Sequence, residues 1–278
     1  HSEWGTPLNP EEFKNILQED KQKEIKAVIL THSETSTGVI NDLETISSYI
    51  REHNQALSIV DCVTSLGACD VPVDDWQLDV VASGSQKGYM IPPGLSFIAM
   101  SQKAWEASEK SNLPKFYLDL KSYKKSLLNN SNPYTPAVNL VFALDEALKM
   151  MREEGLDKIF LRHNKHKLAM SNAAKALNLQ LFADEKYLSP SVTAIKTGEM
   201  DAEEFRKIIK NKFNILLAGG QDHLKGEIFR VGHLGYVNDR DIITVISAIS
   251  NTLLDLGKIT TQEAGEALVV ASKYLQIK

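Results

Sequence analysis

Cysteine is scarce: only Cys62 and Cys69 occur in 278 residues, without CxxC spacing and without a histidine cluster beside them. A disulfide scaffold, a structural zinc site and the Cys-rich ligation of a cluster-bearing redox protein are therefore not expected, and a reducing compartment, the cytoplasm, is. No apolar run approaches the ~18 residues of a membrane helix. Basic residues are no excess either: 31 Lys and Arg stand against 36 Asp and Glu, for a net charge of −5. With no basic run, the chain has neither the electrostatic footprint of a nucleic-acid binder nor a polybasic patch for anionic lipid. The opening His1-Ser-Glu-Trp-Gly5 lacks the basic and apolar regions of a signal peptide, and it lacks an initiator Met. The chain is expected to be a processed form or part of a longer one. Internal repeats and low-complexity tracts are missing as well.

What is present is ordinary globular composition, with 43% hydrophobic and 24% charged residues. At ~150 residues per domain the length points to two domains. In the first half, short apolar runs alternate with helical patterns. Strands are expected at 26–31, 56–61, 78–83 and 95–100, with a helix at 41–53 whose Leu43, Ile46, Tyr49 and Ile50 fall at helical spacing. This is the pattern of crossover units and a largely parallel sheet, and the near-continuous apolar strands suggest helices on both faces. The stretch 112–136, rich in Asn, Ser and Pro, reads as mostly loop. A helix over 137–154 ends at Gly155. Beyond it follow a helix at 156–177, strands at 192–195, 215–217 and 228–232, and helices at 202–213, 239–256 and 260–276. The class is α/β.

In open α/β sheets ligands bind beyond the carboxyl ends of parallel strands. Three such ends carry polar text: Thr31-His-Ser-Glu-Thr-Ser-Thr-Gly38, Asp61 with Val63-Thr-Ser-Leu-Gly67, and Ser83-Gly-Ser-Gln-Lys-Gly88. Asp61 ends an apolar run, where a carboxylate is poorly solvated unless paired. It either caps the next turn or partners a protonated ring nitrogen. Lys87, flanked by Gly84 and Gly88, is either a solvated loop charge or an imine-forming amine. An amine of that kind must be neutral to attack a carbonyl, which burial or a neighbouring cation favours. Arg230 sits inside the apolar Ile228-Phe-Arg-Val231. A buried guanidinium needs a carboxylate, supplied by an internal salt bridge or by a ligand, and a bidentate clamp is the usual grip on an amino or keto acid. His32 and His233 are isolated and read as satisfied structural imidazoles, Cys62 as a small buried hydrophobe, and Gly219-Gly220 as a turn.

Together these segments, with Pro92-Pro-Gly94 and Gly226-Glu-Ile-Phe-Arg-Val-Gly-His-Leu-Gly235, resemble the class V pyridoxal-phosphate aminotransferases, in particular the serine/alanine–glyoxylate (serine–pyruvate) group. Each motif alone is weak; four in order along the whole chain are specific. The resemblance implies the fold type I of pyridoxal-phosphate enzymes. A large cofactor domain with a mostly parallel sheet and the connecting helix would span 1–154, and a smaller α+β domain 155–278. It implies that Lys87 binds the cofactor covalently and moves the substrate proton, and that Asp61 pairs with the pyridine nitrogen. Thr35 would approach the ring oxygen, Val63 would pack on the ring, Gln86 would contact the phosphate, and Arg230 would clamp the substrate carboxylate. It further implies a homodimer with shared sites, in which Thr135 reaches the phosphate of the partner's cofactor. At Asn132 some relatives have a phosphate-binding tyrosine, and Asn132 would donate in its place.

Relatives also carry a segment ahead of the point where this chain begins, with a helix N-terminus for the phosphate and a ring-stacking aromatic, so the large domain is expected to be incomplete at its N-terminus. The activity implied is transfer of an amino group from serine or alanine to glyoxylate or pyruvate, without a metal. Two alternatives stand beside it. One is cysteine desulfuration, which needs a nucleophilic cysteine on a mobile loop. The other is a non-catalytic subunit or fragment of such an enzyme.

Overall fold

The structure, a computed structural model, describes residues 2–277. The chain opens with α1 (Pro10–Glu19), a helix outside the expectations above although Phe13, Ile16 and Leu17 fall at helical spacing. Its start is chemical: Pro10 takes the first helical position, and the Asn9 side chain accepts from the Glu11 amide. Then come β1 (Ala27–Thr31), a tiny hairpin of β2 (Ser33–Glu34) and β3 (Val39–Ile40), α2 (Leu43–His53), β4 (Leu57–Asp61), β5 (Val80–Gly84) and β6 (Ser96–Met100).

One sheet has the order β1-β4-β5-β6. β1, β4 and β5 are parallel neighbours; β6 runs antiparallel to β5. The sheet is thus mostly parallel, as expected, with a reversed edge. The reversal follows from the connection: 85–95 is a turn without a helix, too short for a parallel crossover. The expectation of helices on both faces does not hold among the described residues. Leu17 of α1 and Leu43, Ile46 and Ile50 of α2 join Leu30, Val60 and Val81 in one core on one face. On the other face Ile29 is 77% exposed and Ile98 48%.

Two short helices follow, α3 (Gln102–Glu109) and α4 (Leu120–Leu127). The second lies in the stretch read as loop. Asp119 caps it by accepting from the Lys121 amide, and none of its residues is buried. α5 (Val138–Glu154) and α6 (Leu156–Ala176) meet at Gly155, whose φ of +86° makes the break. The remainder comprises β7 (Gln180–Leu181), β8 (Val192–Lys196), α7 (Ala202–Phe213), β9 (Ala218–Gly219), β10 (Ile228–Gly232), α8 (Asp239–Asp255) and α9 (Thr261–Leu275). A second sheet, entirely antiparallel, has the order β7-β8-β10-β9. The strand expected at 215–217 forms instead at Ala218–Gly219, so Gly219 is a strand residue rather than a turn. Phe205, Phe229, Ile195, Ile246 and Ala267 share the core between this sheet and its helices. Capping boxes fix two helix starts, Asn238 with Asp241 on α8 and Thr260 with Glu263 on α9. Among the described residues no helix is long and apolar enough to cross a membrane.

Buried histidines give the fold a pH signature. Burial lowers His32 and His163 from the ordinary 6.5 to about 4, and His233 to about 3. An imidazole neutral in the folded protein but free to protonate in the unfolded chain favours folding above its unfolded value, and the gain is lost as pH falls. The urea midpoint is therefore expected to fall as pH drops from 6.5 towards 4, the window set by these shifts. Each histidine contributes a slope of up to about 1.4 kcal/mol per pH unit. A midpoint flat across that window would contradict this assignment.

Candidate active site

The parallel strands bring three loops to one sheet edge. Thr31 pairs with Asp61 and Asp61 with Ala82, so the ends of β1, β4 and β5 stand in one row. The loops are then tied across. Thr35 Oγ1 and Thr64 Oγ1 are 2.9 Å apart, joining the first to the second. Between the second and third, backbone meets backbone: a Cβ on Gly88 would lie 2.1 Å from the Leu66 carbonyl oxygen, so no residue but glycine fits.

Asp61 is exposed rather than buried, which corrects the expectation of a poorly solvated carboxylate. β4 ends there, and Oδ1 accepts from the Val63 amide at 2.8 Å, so the capping role is real. That bond fixes the carboxylate at the edge and leaves its other oxygen open to a ligand. Val63 and Thr35 are half-buried beside it. Lys87 is half-buried in a turn closed by the Met90 amide, which donates to the Lys87 carbonyl at 3.0 Å. Gln86 is exposed, and its Oε1 approaches Gly84, where a Cβ would stand 3.0 Å away.

Arg230 reaches the same place from the second sheet. It is 8% exposed. Nε donates to the Gly219 carbonyl and Nη1 to the Thr35 carbonyl, both at 2.8 Å. No carboxylate comes within 4.0 Å of it among the described residues, so the internal salt bridge considered above is not made. Burial, then the nearby Arg206, pulls it below its usual range, and Glu34 opposes them. Glu34 itself is turned to the Ser36 amide and hydroxyl, at 2.8 and 2.6 Å. The guanidinium is thus held by two carbonyls with no anion beside it, an arrangement chemically suited to a carboxylate.

Asn132 and Thr135 stand apart. Both are exposed in the stretch between α4 and α5, and among the described residues no hydrogen bond ties either to the crevice. His233 is satisfied at both nitrogens, by Thr193 and the Pro190 carbonyl. His32 corrects the expectation: its buried Nδ1 has no partner. Cys62 and Cys69 are free thiols, pushed up to about 11 and about 12, chiefly by burial. Neither supplies the ready thiolate that desulfuration requires. No group of three His, Cys, Asp or Glu side chains suited to a metal occurs among the described residues. Two residues behind the crevice, Arg162 and His163, were not singled out from the sequence. An Arg-His pair early in a charged helix reads as surface, and only the fold shows that both bond to Gly235.

An α/β sheet edge with an acid, an amine and an unpaired guanidinium is equipment for handling amino and keto acids, and the architecture is that of an aminotransferase. The crystal structure of a ureidoglycine–glyoxylate aminotransferase from Bacillus subtilis matches with a TM-score of 0.89 and 32% identity, over 98% of this chain and 71% of that one. The model of the family "Aminotransferase class-V" matches residues 7–238, and the chain belongs to that family. It is 56% identical to a protein named "Soluble hydrogenase, small subunit" from a Synechococcus species, covering 98% of this chain and 71% of the relative. It is 36% identical to a serine–glyoxylate aminotransferase from Methylorubrum extorquens, covering 99% and 70%. The cofactor implied by this family is pyridoxal phosphate. The residues fit it: a carboxylate with an open oxygen and hydroxyls line one edge, the turn that carries Lys87 packs against the same loop at Gly88, and the uncompensated guanidinium reaches that edge from β10.

Proposed function

We propose that the protein transfers an amino group from a small amino acid, serine or alanine, to a small 2-oxo acid, glyoxylate or pyruvate. The observation that carries this reading is Arg230, buried without a carboxylate and bonded to the loop beside Asp61. The acceptor rests on the two relatives above, both of which carry glyoxylate in their names.

Pyridoxal phosphate, when bound, supplies the electron sink and carries the amino group between donor and acceptor. Asp61 holds a proton at the ring nitrogen. Val63, Thr35 and Gln86 would hold the cofactor's ring face, its ring oxygen and its phosphate. Lys87 would anchor the cofactor and would serve as the base that moves the proton of the substrate α-carbon. Arg230 fixes the α-carboxylate, which aligns the reacting C–H bond with the ring. Residues 1–154 serve as the cofactor domain and 155–278 as the smaller one.

The working unit is a cytoplasmic homodimer, in which Asn132 and Thr135 of one protomer serve the phosphate site of the other. Support comes from large apolar side chains exposed around that loop: Phe116 is 79% exposed, Leu118 79%, Leu128 82% and Phe142 71%.

The test is a half-reaction. The cofactor-loaded protein is mixed with L-serine, L-alanine or L-aspartate, and the visible absorbance is followed. Serine or alanine is expected to bleach it within one turnover, and glyoxylate to restore it. No bleaching with any amino acid would favour the non-catalytic subunit.

A further inference from the structure

Gly235, in the loop after β10, is held at both of its peptide groups by consecutive residues of α6. Its N–H donates to His163 Nε2 at 3.1 Å, and its carbonyl accepts from Arg162 Nη1 at 2.8 Å. The same Nη1 reaches the Val237 carbonyl at 3.0 Å. Arg162 is aimed by a fork onto Glu154, with Nε to Oε1 at 2.6 Å and Nη2 to Oε2 at 2.9 Å. His163 is fully buried, and its Nδ1 lies 2.8 Å from the Ile159 carbonyl. A carbonyl only accepts, so the ring proton sits on Nδ1 and Nε2 is bare to receive the Gly235 N–H.

Gly235 in turn bears on the Lys87 turn. Its φ is +84°, and a Cβ there would stand 3.3 Å from both the Lys87 carbonyl oxygen and Met90 Cγ. On its other side the turn meets the Leu66 carbonyl at Gly88. The backbone that carries the amine is thus pinched between two loops. One of them also continues the strand that bears Arg230.

We propose that Arg162 and His163 are positioning residues for Lys87: by gripping both peptide groups of Gly235 they keep the loop after β10 seated on the Lys87 turn, so that the amine and the carboxylate clamp hold one relative placement. This rests on the reading of Lys87 as the reacting amine.

The test uses the full chain loaded with pyridoxal phosphate and three variants: His163→Leu, which removes the acceptor, His163→Gln, whose carbonyl can replace it, and Arg162→Lys, which keeps the charge but not the fork. Amide hydrogen exchange is read in peptides covering 84–91 and 232–237, beside kcat and KM for the amino donor. His163→Leu and Arg162→Lys are expected to speed exchange in both peptides by on the order of tenfold, the loss of one hydrogen bond. They are also expected to lower kcat by ~10- to 100-fold with KM little changed, as for a misplaced reacting group. His163→Gln is expected to recover most of both. Faster exchange confined to 232–237 with kcat intact, or equal losses from His163→Leu and His163→Gln, would overturn the proposal. Should exchange respond as stated while borohydride fixes no cofactor on Lys87 of the unaltered protein, the grip stands and the amine assignment falls.

Discussion

Lys87→Ala is expected to leave the protein folded and to lower amino-acid turnover by on the order of 10³-fold or more, the scale of losing an anchoring amine and an acid–base group together. The fold survives because the turn is secured by its main chain. The Met90 amide closes it on the Lys87 carbonyl, and Gly88 packs on the Leu66 carbonyl; the side chain beyond Cβ takes part in neither. Borohydride reduction and peptide mass spectrometry make the check direct. The unaltered protein should carry reduced cofactor on the peptide with Lys87, and the variant should carry none anywhere. Cofactor fixed to another lysine of the variant at wild-type yield, with turnover retained, would move the amine elsewhere.

How much of this was legible beforehand depends on where the determining interactions lie. The three parallel strands were readable because each is an apolar run ending in polar text, and that text is where Thr35, Asp61 and Lys87 sit. The orientation of β6 was not, since strand text carries no direction and only the short connection after β5 decides it. α1 carries both signals, the Asn9-Pro10-Glu11 start and Phe13, Ile16 and Leu17 at helical spacing, but it is short and only Leu17 of it is buried. α4 was lost among Asn, Ser and Pro neighbours, and with no buried face it leaves little pattern to find.

The site was legible by composition and opaque in its electrostatics. A guanidinium inside β10 announced that a carboxylate was wanted, but not whether the protein had one to give. That depended on Glu34, which lies 196 positions earlier and turns instead to Ser36. Exposure of Asp61 was likewise invisible, because it reflects what stands over the sheet edge and not the run that precedes it. The grip on Gly235 spans more than seventy residues and reads as unremarkable charge until α6 is laid against the loop.

Arg230→Lys is the sharpest test of that electrostatic argument. The guanidinium spends Nε on Gly219 and Nη1 on Thr35, both backbone carbonyls, so its orientation is fixed while its charge stays uncompensated. Lysine keeps the charge but has a single rotating ammonium, which cannot hold two carbonyls in different directions and still present a planar pair of donors to a carboxylate. The expected result is a fall in kcat/KM for serine or alanine of about 10²-fold, the worth of a bidentate charge-assisted contact, with pyridoxal phosphate affinity changed little. A control separates this clamp from general damage. The unaltered protein should favour an amino acid over the amine that lacks its carboxylate by a similar factor, and the variant should have lost most of that preference. If Arg230→Lys discriminates between the two as well as the parent does, the carboxylate is bound elsewhere, and the buried charge on β10 serves only the seam between the two sheets.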